Sequence, residues 1–159
     1  MTRPASPRSL DAFDLAILRL LQTDARTPQR TIAEAVHLSA AAVQRRIAAL
    51  EASGVISGNT AVIDPEAVGL GITAIVEVHL EDERTESIRE AKALFRAEPA
   101  VQQCYYSTGG ISFFLIVVTT DMTAYQALAR RLFEDNPRVN RFRTLVALDR
   151  VKTGGALAF

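Results

Sequence analysis

The chain has 159 residues, 48% of them hydrophobic, with a mean hydropathy of +0.12, which describes a folded globular protein of one ordinary domain or two small ones. Its 18 Lys+Arg balance its 18 Asp+Glu, so no global basic field points to nucleic acid and any case for DNA must rest on a local surface. The single cysteine, Cys104, excludes an internal disulfide and cannot build a zinc site, which fits a reducing compartment. The longest apolar run, Phe113 to Val118, is far short of the roughly 20 residues that a membrane helix needs.

The opening MTRPASPRS is basic but has no apolar stretch behind it, so it is no signal peptide, and its prolines predict a disordered tail over residues 1–10. Asp11 is placed to open a first helix over 11–23, with Asp14 at its third position, where a carboxylate meets the positive end of the helix dipole. Phe13, Ile17, Leu18 and Leu21 give that helix an apolar face.

A second helix is expected over 28–36, with Thr27 as its N-cap and Pro28 in the first helical position. A corner at His37-Leu38 follows, and Ser39 caps a third helix whose Val43, Ile47 and Leu50 point back at the second. Counting 100° per residue from Val43, Arg45 lies opposite the core, Gln44 and Ala41 lie near it, and Arg46 sits on the flank. Small residues at the front of the helix, Ala40 and Ala41 among them, let its backbone approach a groove. Gln and Arg carry the forked donors that suit adenine and guanine edges. The pattern is that of a helix-turn-helix reader; an ordinary helical hairpin with a solvated charged face is the alternative. The even total hides a mild asymmetry: up to residue 60 there are 7 Arg against 5 acidic residues, and beyond it 11 Lys+Arg against 13.

Gly54 is positioned to end the third helix, and Val55-Ile56 with Asn59 to Ile63 predict a short extended ribbon. Asp64-Pro65, Gly69 and Gly71 then place a linker over 57–71, between a helix-turn-helix domain over 11–56 and a second domain over 72–152, with 153–159 left as a C-terminal tail. In the second domain, alternation over Ile72 to Leu80 predicts a strand and helical spacing over Glu86 to Ala97 a helix. Strands over Val101 to Thr108 and Ser112 to Thr120 follow, joined by a hairpin at Gly109-Gly110. A helix capped by Asp121, with Tyr125, Leu128, Leu132 and Phe133 inward, and a last strand over Val139 to Lys152, with Phe142, Val146 and Leu148 on one face, complete the order βαββαβ. The fold class is α+β: a helix-turn-helix head joined to a ferredoxin-like sandwich, two helices on one face of a four-stranded antiparallel sheet. The strand around Phe113 to Val118 is apolar on both sides, and Ile75 and Leu145 lie on the side away from the helices, so a second subunit is expected to cover that face.

Together these segments resemble the Lrp/AsnC, or feast/famine, family of transcription regulators. The resemblance runs from Asp11 to Lys152 and is carried by DAFDLAILRLLQTDARTPQRTIAEAVHLSAAAVQRRIAALEASGVI, GNTAVIDPEAVG, QQCYYSTGGISFFLIV, DMTAY and LDRVK in that order. It implies dimers that pair through the ribbon and through back-to-back sheets, often assembling further into octamers. It also implies binding to double-stranded DNA, a place in the cytoplasm on the nucleoid, and an amino acid or related small metabolite as effector, with no cofactor. By resemblance, Thr27, Ser39, Ala40, Ala41, Gln44, Arg45 and Arg46 form the DNA-binding set, Arg46 chiefly at phosphate and Arg45 and Gln44 nearer base edges.

The effector positions implied are Ser107, Thr108, Gly109, Gly110, Ile111 and Ser112. There the family commonly has Gly-Asp-Tyr/Phe-Asp, so two acidic positions have become Gly110 and Ser112, removing carboxylates that suit a ligand's ammonium group. His37 likewise stands where the family usually has glycine. Two other readings compete. A broad, nucleoid-organising DNA binder is one. The other is a small ferredoxin-like enzyme using Glu77 and His79, which share a strand face; against it stand the lack of a phosphate-binding glycine fingerprint, of a metal-ligand cluster and of a nucleophile beside a histidine.

Overall fold

The computed structural model describes residues 9–159; the tail expected over residues 1–10 falls, for 1–8, outside the described residues. The chain forms two compact units, one running up to Ala61 and including Val151–Phe159, the other Val62–Arg150.

The first unit is a three-helix head: α1 (Ala12–Thr23), α2 (Gln29–Val36) and α3 (Ala40–Ala52). Asp11 and Asp14 form a reciprocal capping box at the start of α1, the Asp14 amide donating to Asp11 Oδ1 at 2.8 Å and the Asp11 amide to Asp14 Oδ2 at 3.4 Å. Ile17 of α1, Ile32, Ala33 and Val36 of α2, and Val43 of α3 form the buried core. The head departs from expectation at Thr27. The N-cap of α2 is Pro28, with no side-chain capping bond, because the Thr27 hydroxyl donates backwards to the Asp24 carbonyl at 2.7 Å and finishes the preceding turn. Residues 153–159, expected as a plain tail, return to α1: Arg19 donates to the main-chain oxygen of Phe159 at 2.9 and 2.6 Å, and the Leu157 amide to Gln22 Oε1 at 2.6 Å.

The second unit contains β1 (Ile72–Leu80), α4 (Thr85–Ala97), β2 (Val101–Tyr106), β3 (Phe113–Thr119), α5 (Met122–Ala129) and β4 (Val139–Val146). α5 runs on into a single π-turn, Arg130–Glu134. All strand pairs are antiparallel, in the order β2-β3-β1-β4. The pleat puts Ala74, Val76, Val78, Phe113, Leu115 and Val117 on the helix side, where Ala91 and Phe95 of α4 and Tyr125 and Leu128 of α5 seal them. Phe95 meets Phe113 edge to face at 5.3 Å between ring centroids.

Three boundaries differ from the sequence reading, each for want of a partner. β4 stops at Val146 and not at Lys152, because the last ladder bond runs from the Ala147 amide to the Thr73 carbonyl at 2.9 Å and β1 begins only at Ile72; Leu148 is accordingly fully exposed. β2 and β3 pair as the expected hairpin, but their ends fall short of Thr108 and Ser112, leaving the six-residue loop 107–112, closed by the Ser107 amide on the Ser112 carbonyl at 3.1 Å. The stretch expected as a ribbon, Val55-Ile56 with Asn59 to Ile63, enters no ladder, since an extended segment becomes a strand only against another.

Candidate nucleic-acid interface and ligand pocket

The helix-turn-helix corner is set by His37, which adopts φ 56° and ψ 43°, the only positive φ outside glycine among the described residues. Its amide donates to the Ala33 carbonyl, closing α2, and Ser39 Oγ then accepts from the Ala42 amide at 3.2 Å to open α3. The cap and the buried Val43 and Leu50 fix the rotation of α3. Ser39, Ala40, Ala41, Gln44 and Arg45 are thereby exposed on one side of it, and neither Gln44 nor Arg45 makes a side-chain hydrogen bond or ion pair among the described residues.

Arg46 is held differently. Its Nη1 donates to Asp11 Oδ2 at 2.8 Å and to Asp14 Oδ1 at 2.7 Å, and its guanidinium lies over the Phe13 ring at 5.4 Å. Asp14 is 1% exposed, so the side chain expected at phosphate is engaged between α1 and α3. The bond from the Asp14 amide, with help from Arg46, holds the Asp11 carboxyl below its ordinary range, and the two carboxylates push the Arg46 guanidinium still higher. Sequence pattern alone could not find this triangle, which joins residues 32 and 35 positions apart.

In the second unit, loop 107–112 and the neighbouring strands enclose an open pocket of about 660 Å³, lined by Glu77, His79, Gly109, Gly110, Ile111, Arg141, Phe142 and Arg143. Of the expected effector residues, Gly109, Gly110 and Ile111 line it, whereas Ser107, Thr108 and Ser112 do not. Ser107 Oγ donates to the Ile111 carbonyl at 2.6 Å and so shapes the loop. Ser112 is 3% exposed, and its hydroxyl donates to Glu83 and accepts from the Leu80 amide, both at 3.1 Å, so it is engaged beneath β1 and not on the pocket wall. Gly109 and Gly110 sit at φ 97° and 89°, a region that side chains disfavour. The residues the sequence reading missed are Arg141 and Arg143, which the alternation of β4 puts opposite His79 and Glu77. Arg143 grips both oxygens of Glu77, at 2.7 and 2.8 Å, which depresses the Glu77 carboxyl and raises the guanidinium. Glu77 and His79 therefore form no free acid–base pair.

Residues 10–51 match the AsnC-type helix-turn-helix domain, and residues 73–157 match the Lrp/AsnC ligand binding domain. The chain belongs to the Lrp/AsnC family of transcription regulators. A helix-turn-helix transcriptional regulator of Sinorhizobium fredii is 39% identical over 90% of this chain and 85% of its own. The proline dehydrogenase transcriptional activator of Rhodobacter capsulatus is 34% identical over 89% and 92%. Among solved structures, an AsnC family regulator from Agrobacterium tumefaciens superposes with a TM-score of 0.86 at 28% identity, covering 94% of this chain and 97% of that one. A Neisseria meningitidis regulator in complex with L-Met gives 0.85 at 28% identity over the same shares. The α+β class and the DNA-binding head read from the sequence agree with this membership.

Proposed function

We propose that this Lrp/AsnC regulator binds double-stranded DNA sequence-specifically, with Gln44 and Arg45 reading base edges from α3 in the major groove. Ser39, Ala40 and Ala41 border the groove, and Thr27 lies at the entry to α2 near the phosphates. The observation that carries this reading is that Gln44 and Arg45 are exposed and unengaged beside small residues, while Arg46 is spent inside the head. Arg46 thus becomes a positioning residue for α3 and not a phosphate contact. The test is fluorescence anisotropy against a selected operator and its single-base variants: Gln44→Ala and Arg45→Ala should alter base preference, each good bidentate contact being worth about 1–3 kcal/mol of discrimination. Equal losses on operator and random DNA would reject base reading and favour a broad DNA binder.

The protein acts as a dimer or an assembly of dimers. Support comes from the helix-free sheet face, where Tyr105, Phe114, Ile116, Ile75 and Leu145 lie in adjoining rows around Glu77 and Arg143. Tyr105 is 57% and Leu145 45% exposed, more apolar surface than a solvated face carries. Ile116→Lys should yield monomers by analytical ultracentrifugation, and a wild-type monomer at micromolar concentration would refute the assembly. Two heads per dimer would meet half-sites about 10 bp, or a multiple, apart. The second unit is the seat of a small-molecule effector of the amino-acid or related class. The protein works as a regulator in the cytoplasm, where its DNA is, and not as an enzyme.

A further inference from the structure

The pocket beside loop 107–112 carries more positive than negative charge, two arginines lining it against one carboxylate. Glu77 is the one carboxylate lining it, and Arg143 already occupies both its oxygens. Glu83 accepts from the buried Ser112 hydroxyl and does not line the pocket. Arg141, paired with His79 across the β1–β4 ladder, is exposed and makes no hydrogen bond or ion pair among the described residues. In the loop, the amides of Ser107 and Ser112 are engaged, whereas those of Gly109, Gly110 and Ile111 have no acceptor among the described residues. A Cβ built on either glycine would meet nothing within 4 Å, so this stretch of backbone borders open space.

A zwitterionic amino acid brings an ammonium group that needs a free acceptor, preferably an anion. Here that group would face the Arg141 guanidinium, unpaired among the described residues, and the charge of Glu77, the one lining carboxylate, is already balanced by Arg143. An anion without an ammonium group meets none of that mismatch: a carboxylate or phosphate matches the fork of Arg141, and a neighbouring carbonyl oxygen matches a loop amide. We propose that this pocket takes a small anion with no cationic group, a 2-oxo acid or a phosphate, in preference to an amino acid; the inference rests on the reading of the second unit as the ligand-binding one.

Matched probes isolate the point, because pyruvate and L-alanine, or 2-oxoglutarate and L-glutamate, differ in an oxo group against an ammonium. Calorimetry on the full chain should show each oxo acid binding about tenfold or more tighter than its amino partner. Arg141→Gln, at a side chain exposed and unpaired among the described residues, should weaken that binding about tenfold while leaving the circular dichroism spectrum unchanged. Inorganic phosphate binding in an Arg141-dependent way, without the oxo acids, supports the same anion class and names phosphate as its source. Amino acids binding as tightly as their oxo partners, or binding that Arg141→Gln leaves intact, overturns the anion assignment while the ligand-binding reading stands. Silence from all five probes overturns the anion assignment.

Discussion

Replacing Arg46 with alanine should unfold the head more easily before it alters any contact with DNA. The guanidinium makes two charge-assisted bonds, at 2.8 Å to Asp11 and 2.7 Å to Asp14, and Asp14 is 1% exposed. Such bonds contribute about 1.5–3 kcal/mol each, and breaking a buried pair by removing one partner costs about 3–5 kcal/mol. The Arg46 side chain is 25% exposed and Asp11 50%, so solvent screens part of the interaction, while Asp14 keeps its bond from the Asp11 amide. The net expectation is a loss of about 3 kcal/mol, read as a lower urea midpoint by circular dichroism on the full chain. In a double-mutant cycle with Asp14→Asn, the pair should show coupling of about 1–2 kcal/mol. Under conditions where the variant is still folded, the salt dependence of DNA binding should keep its slope. A slope shallower by about 0.9 with stability unchanged would mean that Arg46 neutralises a phosphate, and would refute the assignment.

His37→Gly should raise stability by about 0.5–1 kcal/mol, because φ 56° strains a side-chain-bearing residue and suits glycine; a loss on thermal melting would show that the imidazole makes a contact worth more than the strain. Phe95→Ala removes a fully buried ring packed on Phe113 and Phe133 and should cost about 3–5 kcal/mol in urea unfolding, with less than 1 kcal/mol refuting its central place in the core. Acid should loosen the head through Asp11. Its folded carboxyl lies below the ordinary 3.8, so its contribution is present above that value and is lost as pH falls through the lower folded one. Asp11→Asn should therefore flatten the stability profile below about pH 4 in titrated melts, and an unchanged profile would dismiss Asp11 as its source.

Much of this molecule follows from local pattern. The apolar stripe of Ile32, Ala33 and Val36, the caps at Asp11, Ser39 and Asp121, and the apolar row Ile72, Ala74, Val76, Val78 and Leu80 each specify an element within a few residues. Their order then leaves few packings that bury every stripe, which is why the two-part architecture and the exposed side of α3 were readable. Boundaries were less legible wherever a neighbouring strand decided them, as where β4 ends because β1 begins at Ile72. Side-chain roles were least legible of all. Arg46 and Arg45 are adjacent cations of one type, and only the position of α1, with its buried Asp14, turns one inward and leaves the other to solvent. The same holds for Ser112, which looks available in a glycine-rich loop but is drawn under β1 by the Leu80 amide. Sequence by itself determined which segments are helix or strand and which face of each is apolar, because those depend on residues a few positions apart. Tertiary structure alone decided which charged and hydroxyl groups remain free, because their partners lie some 30 to 66 residues away and are chosen by packing.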